Sequence, residues 1–183
     1  MQGEDKLLLD PRKRGIHYST KLDKVYTLDV GETIEVDGIK VQGLKSVHGP
    51  LVVSFLFGLI RHESVPGPGE RVGLGAIGFN ISIGNTTLVN LGDSLIQKEW
   101  EGLKPDILMI PIGGRVAKNT MNEDEALEAV QFISPKLVIP CHYNEALFWK
   151  KNCNPADDRF FKKQVEDMNI ECRIMSYGDE IVF

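Results

Sequence analysis

The sequence lacks several features that mark whole classes of protein. Its longest hydrophobic run, Leu51–Ile60, falls well short of the roughly 20 apolar residues that a membrane-spanning helix needs. No run of lysine and arginine interleaves with aromatics, and the net charge is −5, so neither nucleic acid nor membrane is expected as a partner. The three cysteines, Cys141, Cys153 and Cys172, are odd in number and show no Cys-x-x-Cys spacing. Such cysteine usage favours the reducing cytoplasm.

What the sequence does contain is typical of a globular protein. The chain has 183 residues, of which 42 % are hydrophobic and 26 % are charged. This length and composition suit one domain, residues 1–183, with one sizeable core. Strand-like runs dominate the first half, and helices alternate with strands in the second. That order predicts a layered α/β fold.

Turn residues predict two hairpins in the first half of the chain. Asp37-Gly38 divides the alternating run Glu32–Val47 into two strands. Gly84-Asn85 turns Leu74–Ile83 back into Thr86–Leu91. Both dipeptides suit the tight turns that connect antiparallel strands.

The second half of the sequence combines short apolar runs with segments of helical periodicity. Ile107–Ile112 and Leu137–Ile139 are short apolar runs, which predict buried strands. Asn122 opens a capping-box pattern before an amphipathic helix, and Asn154-Pro155 predicts the start of a further helix. The sheet therefore continues into the second half, with helices between its strands.

Asp93 follows the predicted strand Thr87–Leu91 in the sequence Gly-Asp-Ser, and apolar residues then recur at helical intervals from Leu95 to Trp100. A carboxylate between a strand end and a helix start is well placed to act on a ligand outside the sheet. The alternative is that Asp93 only caps the helix.

His48 and His142 share this placement with Asp93. Each of the three follows an apolar, strand-like run and precedes a turn or a helix start. If the three strand ends meet at one edge of the sheet, two imidazoles and a carboxylate converge there, a set that suits Zn²⁺ or a similar divalent ion. Considered singly, each histidine is more often a surface residue than a ligand.

Six segments carry a resemblance to a known family. They read VHGP, NLGDS, PDILMIPIGG, MNEDEALEAV, PKLVIPCHYN and YGDEIVF. Together they resemble the metallo-β-lactamase superfamily, and within it the metal-dependent hydrolases similar to L-ascorbate-6-phosphate lactonase, over about Val25–Phe183. The resemblance implies an αβ/βα sandwich with metal ions at one edge.

The resemblance also implies a chemistry for the three residues. His48, Asp93 and His142 match metal ligands of the family, and Asp93 matches the group that bridges two ions. One or two ions of Zn²⁺ or Mn²⁺ would acidify a bound water to hydroxide, which attacks an ester, lactone or phosphoester bond. Asp93 would also be the catalytic residue that orients this hydroxide.

One family motif is missing. Nothing in the sequence has the His-x-His-x-Asp-His spacing that supplies most of the first metal shell in the family, and His17 stands alone upstream. Either this loop has been deleted between about Pro11 and Thr20 or the chain starts late, so the sequence allows a sandwich that is incomplete at its N-terminus and predicts weak metal binding. It also predicts that a second copy or a partner chain covers apolar sheet surface left open.

Four residues near the predicted ligands are candidates for binding substrate. Arg115 and Lys118 follow the glycine pair of PIGG and could hold an anionic group of a small metabolite, or lie in a solvated loop. Tyr143 and Asn144 follow His142 and either bind substrate or only shape the turn.

Two other interpretations of the sequence compete with that of a hydrolase. The first is a catalytically impaired remnant of the fold, which serves as a binding or structural subunit; the missing motif favours it. The second is a nucleotide-binding domain, based on the literal G-x-G-x-x-G match at Gly73–Gly78. That match lacks the preceding strand and following helix that the motif requires, so we interpret it as chance.

Overall fold

The computed structural model describes residues 26–49, 51–55, 60–64, 76–147, 151–152 and 154–182. All helices and strands given below belong to one unit of the chain, Leu28–Val65 and Ala76–Phe183. His17, Cys153 and the first three residues of the glycine match lie outside the described residues. The prediction of one domain for residues 1–183 stays a prediction.

The described elements follow the predicted order of strands first and alternating helices and strands later. The strands are β1 (Thr33–Val36), β2 (Ile39–Lys45), β3 (Leu51–Phe55), β4 (Ile60–Ser64), β5 (Ile77–Ile83), β6 (Thr86–Asn90), β7 (Ile107–Pro111), β8 (Leu137–Cys141), β9 (Ala146–Leu147), β10 (Lys151–Asn152) and β11 (Glu171–Cys172). The helices are α1 (Gly114–Ala117), α2 (Glu123–Ile133) and α3 (Asp158–Asp167), with a 3₁₀ turn at Lys98–Trp100.

Seven strands form one mixed sheet in the order β1-β2-β5-β6-β7-β8-β11. The pairs from β1 to β6 are antiparallel, and the pairs from β6 to β11 are parallel. Two small antiparallel pairs, β3 with β4 and β9 with β10, lie outside this sheet. The predicted α/β class is confirmed.

Both predicted hairpins are present. Asp37 and Gly38 have φ angles of 50° and 80°, the left-handed conformation that a two-residue turn between twisted strands requires. Gly84 has a φ of 57° in the turn between β5 and β6. The local turn signals were therefore sufficient for this half of the sheet.

Helix α2 begins as predicted, and α3 does not. The Asn122 side chain accepts from the Glu125 backbone N–H, and the Glu125 side chain accepts from that of Asn122. Helix α3 begins at Asp158 rather than at Asn154-Pro155, because the Asp157 carboxylate accepts the Phe160 N–H at 2.9 Å and so caps the helix.

The hydrophobic core is formed by the parallel half of the sheet and the helices beside it. Among the described side chains, every buried hydrophobic one lies between Val89 and Cys172. The largest are Trp100, Phe161, Leu91, Leu108, Ile110, Ile112 and Met121. This core fixes the ends of β6 and β8, which precede two of the three predicted ligands, Asp93 and His142. Among the described residues, no helix is both long and apolar enough to cross a membrane.

Candidate metal centre

The sheet topology brings the three predicted ligands to one edge. His48 follows the end of β2, Asp93 follows β6 and His142 follows β8. Strands β6, β7 and β8 run parallel, and β2 shares their direction because it is antiparallel to β5, which is antiparallel to β6. The carboxyl ends of all these strands therefore lie at the same edge.

The three side chains meet at one oxygen. His48 Nε2 lies 2.9 Å from Asp93 Oδ2, and His142 Nε2 lies 3.3 Å from the same atom. Each imidazole is 36 % exposed and the carboxylate is 31 % exposed, so the cluster opens to solvent on one side. The sequence-based expectation that these side chains converge matches this geometry, whereas their role as ligands stays a prediction.

The segment after Asp93 is held by the segment before His48. The Val47 N–H donates to the Ser94 hydroxyl at 2.9 Å, and the Leu95 N–H donates to the Val47 carbonyl at 2.8 Å. These bonds keep residues 94–97 non-helical, and the helix predicted from Leu95 to Trp100 is wrong apart from the short 3₁₀ turn. Asp93 therefore does not cap a helix, and that alternative fails.

His142 sits in a strained turn that a glycine makes room for. Its φ of 53° is left-handed, a conformation that costs a non-glycine residue about 1 kcal/mol or more. A Cβ atom on Gly113 would collide with the His142 carbonyl oxygen. The glycine pair after β7 thus allows the turn that carries His142 to approach its neighbour.

The charges of the cluster reinforce one another. Burial alone would raise the pKa of the Asp93 carboxyl, but the hydrogen bond from His142 and the charges of both imidazoles hold it below its ordinary value. The hydrogen bond to Asp93 is the main cause that raises the pKa of His142. The carboxylate is therefore ionised at neutral pH and available as a ligand.

Asp93 Oδ1, the second carboxylate oxygen, is buried and has no hydrogen-bond donor among the described residues. The nearby Thr120 hydroxyl has one hydrogen and donates it to the Ser94 carbonyl at 3.1 Å. An ionised oxygen left without a partner is costly, and a cation is one group that would satisfy it. This atom and the two imidazoles fit a divalent ion in their chemistry.

The described part of the chain does not hold three or more His, Cys, Asp or Glu side chains already spread around a space for an ion. The three side chains of the cluster touch one another through Asp93 Oδ2 instead. An ion would have to replace these direct contacts.

Arg115 and Lys118 lie beside a cavity of about 220 Å³. Its lining also includes Leu95, Gly114, Thr120, Asn122 and Glu125. Arg115 is half-exposed and its Nη2 atom donates to Glu123 Oε1 at 2.6 Å. Lys118 is exposed and ends α1 in a left-handed conformation. Both cations therefore face the same small space, next to the segment that carries Asp93.

Tyr143 and Asn144 have structural partners. Tyr143 packs against the core, and burial together with Asp158 raises the pKa of its hydroxyl to about 12. The Asn144 amide donates to the Ala156 carbonyl at 3.0 Å, and its oxygen accepts the Ala156 N–H at 3.1 Å. These contacts support the alternative that both residues shape the turn; substrate binding by them stays a prediction. Burial also raises the pKa of the Cys141 thiol to about 12, in keeping with a packing role.

Two functional candidates were missed in the sequence. Asn119 Nδ2 lies 3.1 Å from His48 Nε2, although 71 residues separate the two in the chain. Glu123 is buried, and its Oε1 atom accepts from Arg115 Nη2 and from the Asp157 N–H. No local pattern distinguishes Asn119 from an ordinary loop residue, and the position of Glu123 in the first turn of α2 suggests only helix capping.

Comparison with known proteins gives consistent matches. Residues 3–142 match the model of a family described as a beta-lactamase superfamily domain, so the match begins upstream of Val25. A protein of Natranaerobius thermophilus named as a UPF0173 metal-dependent hydrolase is 31 % identical over 163 residues, which are 86 % of this chain and 68 % of that protein. A protein of the same name from Nanoarchaeum equitans is 34 % identical over 117 residues, which are 62 % of this chain and 51 % of that protein.

One solved structure extends the likeness to the fold. A metallo hydrolase from the hyperthermophilic archaeon Ignicoccus hospitalis aligns with a TM-score of 0.62 at 22 % identity, over 85 % of this chain and 59 % of that one. At this identity the likeness shows the fold, which is the metallo-β-lactamase fold. The chain spans between about half and two thirds of the length of the curated relatives described.

Proposed function

The chain belongs to the metallo-β-lactamase superfamily and, within it, to the family of UPF0173 metal-dependent hydrolases, and from this premise we propose that it is a metal-dependent hydrolase with His48, Asp93 and His142 as metal ligands. The observation that carries the proposal is the convergence of two imidazole nitrogens on Asp93 Oδ2, with Oδ1 buried and unpaired among the described residues. A purely structural ion pair would have no reason to leave that oxygen without a donor.

Each residue has a stated part in the proposed site. His48 and His142 would hold the ions through Nε2, and Asp93 would be the ligand that they share, since a carboxylate has two oxygens and an imidazole offers one nitrogen on this side. Zn²⁺ or Mn²⁺ bound there supplies hydrolytic chemistry by lowering the pKa of water. The chain's own contribution is to fix the ligands through the Ser94 and Gly113 contacts described above.

The proposed substrate is a small anionic metabolite with an ester, lactone or phosphoester bond. Arg115 and Lys118 supply two positive charges at the cavity beside the cluster, and Arg115 is held in place by Glu123. A planar guanidinium with a fixed partner suits a carboxylate or phosphate group of a substrate. Similarity to ascorbate-6-phosphate lactonase belongs to this proposal, as does a cytoplasmic location.

The proposal is tested by measuring metal in protein purified without chelator, by elemental mass spectrometry alongside a mass-resolved sizing run. One or two ions per chain are expected, and the sizing run reports whether a second copy completes the site. Absence of metal after zinc and manganese are added back would overturn the proposal.

The rival function is a remnant of the fold that acts as a binding subunit. It is favoured by one observation, that the described side chains do not enclose a space for an ion as they stand. The same metal measurement decides between the two functions, since a remnant would remain free of metal at every ion concentration tested.

A further inference from the structure

Asn119 is fixed against the turn that carries His48. The Gly49 N–H donates to the Asn119 carbonyl at 2.7 Å, and a Cβ atom on Gly49 would approach Asn119 Cα to 2.9 Å. The backbone bond places the Asn119 amide where its nitrogen lies 3.1 Å from His48 Nε2. The backbone hydrogen bond between the two segments therefore fixes the side-chain contact between Asn119 and His48.

This contact uses the same nitrogen that faces Asp93. An imidazole nitrogen carries either a hydrogen or a lone pair, so His48 Nε2 can donate to Asp93 or accept from the Asn119 amide, but not both. Asp93 is ionised and its Oδ2 atom lies 2.9 Å from Nε2, so the hydrogen lies on Nε2 and points to Asp93. The Asn119 amide therefore gains no acceptor from this contact, and its hydrogens remain available to another group. The contact differs from the usual support of a metal ligand, in which the other ring nitrogen is held.

Asn119 also connects the cluster to the cavity along the chain. Its two chain neighbours, Lys118 and Thr120, both line the cavity, while its own side chain contacts His48. A ligand that extends from the cavity towards His48 would offer this amide an acceptor.

We propose that Asn119 is a substrate-binding residue, whose amide contacts His48 in the free protein and donates to an oxygen of a bound oxyanion once metal is present. The substrate class is one with a carboxylate or phosphoryl oxygen at the reacting end. This inference rests on the proposed metal site and adds a residue to it.

The test compares wild-type protein with Asn119→Ala by titration calorimetry, first with zinc and then with inorganic phosphate on the zinc-loaded protein. Asn85→Ala is the matched control, because Asn85 is an exposed residue in the turn at the opposite edge of the sheet. Because the amide is not a metal ligand, zinc affinity should stay unchanged. Loss of one donor should lower phosphate affinity roughly three- to tenfold.

Two results would overturn the inference. Weaker zinc binding by Asn119→Ala would mean that the amide acts by supporting His48 rather than by binding the anion, and unchanged phosphate affinity would mean that the amide does not reach the anion. Asn119→Asp provides a second test. A carboxylate at this position repels phosphate, so this variant must lower the affinity of the protein for phosphate further than Asn119→Ala does.

His48→Ala separates failure of this inference from failure of the proposed function. If zinc binds wild type and His48→Ala equally, or binds neither, the metal site itself is wrong and the inference falls with it. If only His48→Ala loses zinc, the metal site stands and the Asn119 results judge the inference alone.

Discussion

Two carboxylates at opposite edges of the sheet, Asp93 and Asp106, show how differently this fold uses the same group. Asp106 precedes β7 and receives the Lys136 ammonium on Oδ1 at 2.7 Å and the Thr87 N–H and hydroxyl on Oδ2 at 2.7 and 2.9 Å. Asp93 follows β6 and has both neighbours on Oδ2, with Oδ1 unpaired among the described residues.

The pKa of each carboxyl lies below its ordinary value, but the causes differ. Hydrogen bonds from Lys136 and Thr87 lower the pKa of Asp106 to about 2. The pKa of Asp93 is lowered against the effect of its burial, by the hydrogen bond from His142 and by the charges of the two imidazoles. A depressed pKa therefore does not distinguish the two carboxylates, whereas the incomplete set of partners of Asp93 does.

Asp93→Ala should have the largest effect of these variants. The effect should fall on zinc affinity and turnover rather than on stability. We expect zinc affinity to fall by more than roughly 100-fold, since loss even of a group that supports a ligand costs up to that much. Turnover should be abolished. The free energy of unfolding without metal should change by less than about 1 kcal/mol, because the variant removes an unsatisfied buried oxygen.

Calorimetry and urea denaturation on the same preparation measure both quantities for Asp93→Ala. Unchanged metal content in the variant would contradict the role of Asp93, and a large loss of stability would place it with Asp106 instead.

Glu123→Ala should extend the comparison to a buried and satisfied carboxylate. Its Oε1 atom accepts from Arg115 and from the Asp157 N–H at the cap of α3, and removal leaves both donors unpaired. We expect a loss of about 1–3 kcal/mol in the free energy of unfolding, measured by urea denaturation. Glu128→Ala, an exposed change on the same helix, should cost less than a quarter of that.

Asp106→Asn should affect stability alone, and by less than Glu123→Ala, because the Lys136 side chain is largely solvent-exposed. Since the folded-state pKa of about 2 lies below the unfolded value of about 4, the contribution of Asp106 is present above pH 4 and is lost as the pH falls towards 2. Melting temperatures of wild type and variant should therefore differ at pH 7 and converge near pH 2. Zinc affinity should stay unchanged, and a decrease would contradict the division between the two edges.

Lys118→Ala should have the smallest effect. An exposed ammonium contributes little to binding an anion in water, so phosphate affinity of the zinc-loaded protein should fall roughly two- to fivefold. Calorimetry at low ionic strength measures this change best, and added salt should reduce the difference. A gain in phosphate affinity would exclude Lys118 from the anion site.

Much of this arrangement could be predicted because its signals are local. Asp37-Gly38 and Gly84-Asn85 specify turns by their own backbone preferences, and the strand ends before His48, Asp93 and His142 follow from apolar runs. A common direction of those strands was then enough to bring the three side chains together.

The errors have a tertiary cause. The apolar spacing after Asp93 is helical, but bonds between Val47 and the Ser94-Leu95 segment hold the chain extended, and no window of sequence includes both partners. Asn119 was missed for the same reason, since its contact with His48 joins residues far apart in the chain. The start of α3 was misplaced because Asp157 is a better cap than the Asn154-Pro155 pair, whose Asn154 oxygen accepts from the Glu145 N–H.

The uneven distribution of the hydrophobic core across the sheet has a consequence for local unfolding. The described strands β1, β2 and β5 contribute no fully buried hydrophobic side chain, so their amides should exchange with solvent through smaller and more frequent openings than those of β7 and β8. His48 follows β2, whereas Asp93 and His142 follow β6 and β8, in the half of the sheet that contains the core. An ion held by all three would join the two halves, and the protection of β2 and β5 would then rise with the logarithm of the free metal concentration.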